Sequence, residues 1–172
     1  MRRTAGTCLC TVFMVGCAPP IAYRTPIYNI RVAPTTTPEA PEDIDAVAAA
    51  VIEHLAEATD WTEGQLEHAI WGIKLTIEEE PFDCYFVSGA TKCWGVANEY
   101  GVRYAYHECI ASSALPHELI HLLVAKCGLG WADTGHETKD WWGPDSVESR
   151  ARMDACKAIC PELCPNGPHH PQ

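Results

Sequence analysis

The run LPHELIHLL, residues 115 to 123, places two histidines and a glutamate within an otherwise apolar segment. Its apolar side chains fall on every side of a helical projection, which predicts a central buried helix that ends near Gly128. Burying an imidazole or a carboxylate without a partner costs several kcal/mol, so the chain must also supply something that satisfies these groups. A metal ion meets that requirement.

The two histidines of this run have the spacing of metal ligands. His117 and His121 are four residues apart, which separates them by about 40° around a helix and about 6 Å along it, so both imidazoles can reach one ion. Glu118 lies beside them without being a ligand. This is the H-E-x-x-H arrangement, in which the histidines hold Zn²⁺ and the glutamate is the general base that acts on a water molecule at the metal.

With this motif, residues 100 to 142 resemble the zincin metallopeptidases. The resemblance is greatest to bacterial, lipid-anchored members in which HELIH is followed at a distance by DxxH, as in DTGH at residues 133 to 136. It implies an α+β, zincin-like fold, with a small mixed sheet over a central active-site helix and with flanking helices. It also implies peptide or protein substrates and an edge strand lining the substrate cleft, which would be about residues 102 to 110.

The third metal ligand is less constrained by the sequence. A catalytic zinc site has three protein ligands and an open position for water. The metzincin subfamily is excluded, because the positions where it needs glycine and a ligand hold Val124 and Cys127. His136, in a polar turn after the predicted helix end, is the predicted ligand. Glu148, early in the next helix, is the gluzincin alternative, and Asp133 is either a ligand or an acceptor that orients an imidazole.

The amino terminus has the pattern of an export signal. Two arginines precede an apolar stretch from residue 5 to 15, which is too short to span a bilayer. The following MVGCAPP resembles the lipobox of bacterial lipoproteins, with Gly16 before Cys17. This resemblance implies cleavage before Cys17 and lipid attachment to it. The expected location is the bacterial cell envelope, with a lipid anchor in the outer membrane or facing the periplasm.

The chain is predicted to have four segments. Residues 1–16 are the signal peptide, and residues 17–42 are the lipidated cysteine with a poorly packed tether that is rich in proline. Residues 43–165 form the metal-binding catalytic domain. Residues 166–172 are a flexible tail.

Local patterns predict the helices. Apolar residues spaced by three and four predict a first helix from 43 to 58. Thr62 and Gln65 fit a capping box for a second helix that ends at Gly72. A last helix is expected from about 145 to 160.

Three apolar runs predict a small sheet of at least three strands. They are the alternating residues 73 to 77, the run CYFV at 84 to 87 and the run VRYAY at 102 to 106.

The cysteines indicate disulfides. Seven of the 10 cysteines follow Cys17, and an exported chain meets an oxidising compartment. Cys84 and Cys93 could close a hairpin. The run CKAICPELC, residues 156 to 164, repeats cysteine every four residues and could suggest a metal cluster, although the compartment favours disulfides. Because seven is odd, one thiol is expected to stay unpaired.

The charge of the chain limits its partners. It has 12 basic and 23 acidic side chains and a formal net charge of -11. Removing residues 1–16 removes two arginines and leaves 10 minus 23, or -13. The basic residues are scattered along the sequence, so nucleic acid is not an expected partner.

These observations predict a membrane-anchored zinc hydrolase, a metallopeptidase with His117, His121 and His136 as ligands. The alternative is a non-catalytic cell-envelope lipoprotein in which a fourth protein ligand closes a structural zinc site. The glutamate in HELIH favours the enzyme, because a structural site does not need it.

Overall fold

The computed structural model describes residues 20–84, 92–129, 136 and 140–164. Within them, five strands form one mixed sheet that packs against four α-helices, which confirms the predicted α+β class. The strands are β1 Tyr23–Arg24, β2 Arg31–Val32, β3 Lys74–Glu78, β4 Gly95–Asn98 and β5 Gly101–Ala105, and the helices are α1 Pro41–Ala58, α2 Glu63–Ile70, α3 Leu115–Val124 and α4 Val147–Ile159. The predictions for the signal peptide, Cys17, most of the CYFV strand, Asp133 and the tail lie outside the described residues.

The sheet has the order β1-β2-β3-β5-β4. Strands β2, β3 and β5 are parallel, whereas β1 and β4 run antiparallel to their neighbours at the two edges. The expectation that residues 102 to 110 form the edge strand is therefore wrong. A tight turn between Asn98 and Gly101 folds β4 back outside β5, so Gly95–Asn98 is the edge and β5 is internal.

The segment predicted as a tether is folded over much of its length. Strands β1 and β2 lie within it, and Tyr28, Ile30 and Val32 are buried. The backbone N–H of Arg31 donates to the carbonyl of Ile73 over 2.8 Å, which ties the segment to the sheet. The prediction of a poorly packed tether is thus wrong for residues 22–33. Its prolines lie outside both strands, so they leave the hydrogen bonds of the sheet intact.

The first two helices follow their local signals. α1 buries the predicted face, with Ile44, Val51 and Leu55 inaccessible to solvent. The capping box of α2 is confirmed: the N–H of Gln65 donates to the Thr62 hydroxyl over 3.3 Å, and the Thr62 N–H donates to the Gln65 side chain over 2.9 Å. These elements were predictable because the interactions that fix them are local.

Helix α3 is the central element of the core. It packs against β4, β5 and α1, and five of its apolar side chains are inaccessible to solvent: Leu115, Leu119, Ile120, Leu122 and Leu123. The Ser113 hydroxyl accepts from the N–H of Leu115 over 3.0 Å at the start of the helix. A π-helical turn, Ala125–Leu129, follows the helix, and Gly128 reverses the backbone there with φ 119°. Such a φ strongly favours glycine.

The cysteines pair as the compartment argument predicts. Disulfides join Cys84 to Cys93, Cys109 to Cys160 and Cys156 to Cys164. Among the described cysteines, Cys127 is the one left as a thiol. No helix in the described residues has the length and apolar character of a bilayer span.

Candidate metal centre

Three imidazole nitrogens converge beside α3. The Nε2 atom of His121 lies 3.2 Å from Nε2 of His117 and 3.0 Å from Nε2 of His136. Tetrahedral zinc with ordinary Zn–N bonds would set such nitrogens about 3.3 Å apart. Nitrogen lone pairs held this close repel one another unless a cation or a proton lies between them. The three histidines therefore form a cluster that could hold a metal ion.

Helix α3 supplies two of the three histidines, and the chain that follows it supplies the third. His117 and His121 lie one turn apart on α3, so their rings project from the same side of the helix. His136 comes from the chain beyond the turn at Gly128 and has a left-handed backbone, with φ 56°. That conformation is uncommon for a residue with a side chain and often marks a functional position.

Glu148, the gluzincin alternative, contacts the cluster from outside. Its Oε1 atom lies 3.2 Å from Nδ1 of His117, on the side of the ring away from the other two histidines. A carboxylate at Nδ1 keeps the proton there and leaves Nε2 as the acceptor that can bind a metal. Glu148 thus orients a candidate ligand, while His136 supplies the third convergent nitrogen.

Arg152 forms an ion pair with Glu148. Its guanidinium contacts the Glu148 carboxylate at 2.9 Å, and both residues are almost fully buried. Burial opposes ionisation of Glu148, but the hydrogen bond from His117 and the charge of Arg152 outweigh it and lower the pKa of Glu148 to about 2. Arg152 also donates to the carbonyl of Ser113 over 2.5 Å. This contact fixes α4 to the start of α3.

Glu118 directly follows His117 in α3 but is not one of the three clustered donors. It is 7% exposed, and the backbone of Ala97 on β4 favours its ionised form. Burial raises the pKa of its carboxyl group to about 7, although the neighbouring His117 opposes the shift. Glu118 faces a cavity of about 320 Å³ bounded by α3, α4 and the start of β4, and lined by Cys93, Trp94, Gly95, Ala114, His117, Glu118, Glu148 and Arg152.

The close approach of β4 to Glu118 requires glycine at position 95. A Cβ atom on Gly95 would lie 2.6 Å from both Cγ and Oε1 of Glu118, and 2.7 Å from Cβ of Ala114. The Glu118 side chain could shift, but Ala114 is the N-cap of α3 and its Cβ is fixed to the backbone. Gly95 therefore makes room for the Glu118 side chain.

Trp142 packs against the whole cluster. Its ring centroid lies 4.6 Å from that of His117 and 4.7 Å from those of His121 and His136. The side chain is only 8% exposed. An indole in this position walls one side of the candidate metal site and limits how the three imidazoles can turn.

The roles of Glu148, Arg152 and Gly95 were not predicted. Glu148 and Arg152 are four residues apart on a buried face of α4. This spacing of an acid and a base in the sequence could have indicated their ion pair. Gly95 carries no local signal, because its role depends on contact between β4 and α3.

No family model, curated protein or solved structure matches this chain.

Proposed function

We propose that this chain is a zinc-dependent hydrolase of the zincin type, specifically a metallopeptidase. The observation that carries the proposal is the position of Glu118. Glu118 directly follows His117 in α3 and is not one of the three clustered donors, and together with His117 it lines a cavity, a placement that suits a general base and that a structural zinc site does not need.

His117, His121 and His136 would hold the zinc through their Nε2 atoms. Zinc in such a site supplies a Lewis acid that polarises a carbonyl group and lowers the pKa of water. Glu148 keeps the His117 ring in the tautomer that can bind the metal, and Trp142 shields one side of the three rings. Three protein donors are typical of a catalytic site, in which a fourth position is left for water.

Glu118 would carry the proton. In the proposed reaction its carboxylate removes a proton from the attacking water and passes it to the leaving amine. Its burial against β4 suits this task, because a desolvated carboxylate is a stronger base than one in water.

An extended peptide is the substrate that best fits the surroundings of the cavity. β4 is an edge strand, and Gly95 at its start lines the cavity beside Glu118. Backbone groups on an edge strand can pair with an added strand, which would place a peptide bond near Glu118.

The proposal includes the lipid anchor at Cys17 and a location in the bacterial cell envelope.

The decisive experiment is Glu118→Gln in a chain that begins at residue 18. The amide has nearly the shape of the carboxylate but cannot accept the proton. We expect the variant to keep its zinc and its melting temperature and to lose about 10²- to 10⁴-fold in cleavage of a mixed peptide pool. Glu67→Gln, an exposed change on α2, is the matched control. Equal cleavage by the Glu118 variant and the parent would reject the mechanism, and a protein that folds without zinc would reject the metal site.

A further inference from the structure

We infer that one end of the sheet is a docking surface for anionic membrane lipids. This inference concerns residues remote from the proposed active site, and it rests on the lipid anchor at Cys17 that the proposed function includes. The surface, called the basal patch, consists of Arg24, Ile27, Arg31, Trp71, Lys74 and Tyr100.

The sheet assembles basic residues that are scattered in the sequence. Arg24 pairs with Arg31 across β1 and β2, and Arg31 is in register with Lys74 on β3. Residues directly opposite one another on neighbouring strands point to the same face, so the three cations form a row. None of them has an ion pair with a carboxylate of the described chain, unlike Arg103, which pairs with Glu78 at 2.7 Å. Three such cations together are notable in a chain of net charge -11.

Apolar side chains project from the turns beside this row. Ile27 is 61% exposed, Trp71 59% and Tyr100 72%, the largest values among the exposed large apolar residues of the described chain. Tryptophan and tyrosine with neighbouring cations are the side chains enriched where proteins meet lipid headgroups.

Backbone hydrogen bonds show that these turns lie side by side. The N–H of Gly72 donates to the carbonyl of Tyr28 over 3.2 Å, and the N–H of Lys74 donates to the carbonyl of Tyr100 over 3.0 Å. The turns that carry Ile27, Trp71 and Tyr100 therefore meet at one end of the sheet.

The preceding chain limits how far the patch can be from a membrane. The N–H of Ala22 donates to the carbonyl of Val32 over 2.8 Å, so Ala22 is already tied to the sheet. Ala22 is five positions after Cys17 in the sequence, a reach of at most about 17 Å. A lipid on Cys17 would therefore hold the β1 edge, and the basic row that starts at Arg24, close to headgroups.

Docking through this patch would leave the candidate active site accessible. In the β4–β5 pair, Asn98 is opposite Gly101 at the patch end, whereas Gly95, beside Glu118, is opposite Tyr104. Three residues of strand span about 10 Å. The cavity thus lies toward the other end of the sheet, on the side away from the bilayer.

Carboxylates at the edge of the basal patch oppose its attraction to anionic lipids, so removing one of them tests the inference. Glu99 directly precedes Tyr100 in the turn between β4 and β5, which places that charge at the edge of the patch, and the charge of Glu67 acts on Tyr28 in a neighbouring turn. Removing Glu99 should therefore strengthen docking, whereas removing Arg24 should weaken it.

The test uses the full chain reconstituted in vesicles of phosphatidylcholine, with or without phosphatidylglycerol, and measures amine acylation by mass spectrometry. Lys74 should react about tenfold more slowly in the anionic vesicles than in the neutral ones. Lys157 on α4, which is paired with Asp154, is the control in the same molecule and should react equally in both. Arg24→Gln should reduce the protection of Lys74 about fivefold, Glu99→Gln should increase it, and the matched Arg150→Gln on α4 should leave it unchanged.

Equal reactivity of Lys74 in the two vesicle types would overturn the inference. Protection of Lys74 in neutral vesicles that grows with protein density would also overturn it, and would indicate contact between copies of the chain. Neither zinc content nor hydrolysis is measured, so failure here is distinct from failure of the proposed enzyme.

Discussion

The Nδ1 atom of His117 donates to the carboxylate of Glu148, 31 residues further along the chain, over 3.2 Å. This bond joins α3 to α4 at the candidate metal centre. Because Glu148 is also held by Arg152, the orientation of one histidine depends on a buried ion pair in another helix. Metal binding and the packing of α4 should therefore be coupled.

Zinc affinity should distinguish the role of Glu148 from that of His136. Glu148→Gln leaves all three Nε2 donors in place but weakens the control of the His117 tautomer, so zinc should bind about 10- to 100-fold more weakly. His136→Ala removes a donor and should weaken binding far more. Competition with a chelator measures both, with the exposed Glu53→Gln on α1 as the control. The reverse order would make Glu148 the ligand.

The stability of the fold should depend on Arg152. Arg152→Leu leaves the Glu148 charge buried without its partner and removes the donor to the Ser113 carbonyl. We expect a loss of about 3–5 kcal/mol in the free energy of unfolding. Lys157→Leu, at an exposed ion pair on the same helix, should change it by about 1 kcal/mol or less. Similar urea midpoints for the two variants would contradict this difference.

The sequence predicted what depends on neighbouring residues. The Thr62 capping box, the apolar face of α1 and the i,i+4 pair His117 and His121 are set within one or two helical turns. The sequence also pointed to His136, which lies with that pair in the structure, because it stands in a polar stretch after the predicted helix.

Long-range pairing was not predictable from those patterns. β4 is the edge strand only because β5 pairs with β3, and that pairing joins residues 27 positions apart in the chain. β1 and β2 are two residues each and lie among prolines, so no periodic pattern marks them. The contact between His117 and Glu148 likewise requires the packing of α4 against α3.

Thiol labelling should identify Cys127. With six described cysteines in disulfides, alkylation of the denatured but unreduced chain should modify Cys127 and none of those six. Peptide mapping by mass spectrometry would locate the label and the three pairs. Labelling of Cys109 or Cys156 without a reductant would contradict the disulfides of α4.

The stability of the protein should fall with rising pH because of Glu39. Burial raises the pKa of this carboxyl group from 4.5 to about 7, although the Tyr104 hydroxyl donates to it. Between these values the folded chain holds a proton that the unfolded chain has lost, so the free energy of unfolding decreases as pH rises. Glu39→Gln cannot ionise and should lose this part of the pH dependence. Urea unfolding from pH 4.5 to 8 measures it, with the exposed Glu42→Gln as the control.

The contact between Gly95 and Glu118 gives the most direct test of the candidate active site. In Gly95→Ala the new methyl group would lie 2.6 Å from the Glu118 side chain, so either the carboxylate must move or β4 must separate from α3. Both changes should leave the three histidines in place while they disturb the general base.

We therefore expect Gly95→Ala to bind zinc like the parent, to lose about 1–3 kcal/mol of stability and to lose most of its peptide hydrolysis. Gly64→Ala is the matched control, because Gly64 lies in α2 and a Cβ there meets nothing within 4 Å. That change should instead stabilise the helix by about 0.5–1 kcal/mol and leave hydrolysis unchanged. Zinc content, urea unfolding and cleavage of the same peptide pool compare the two. If Gly95→Ala kept full hydrolysis, the packing of β4 on Glu118 would not matter for the reaction, and the role assigned to this carboxylate would have to be abandoned.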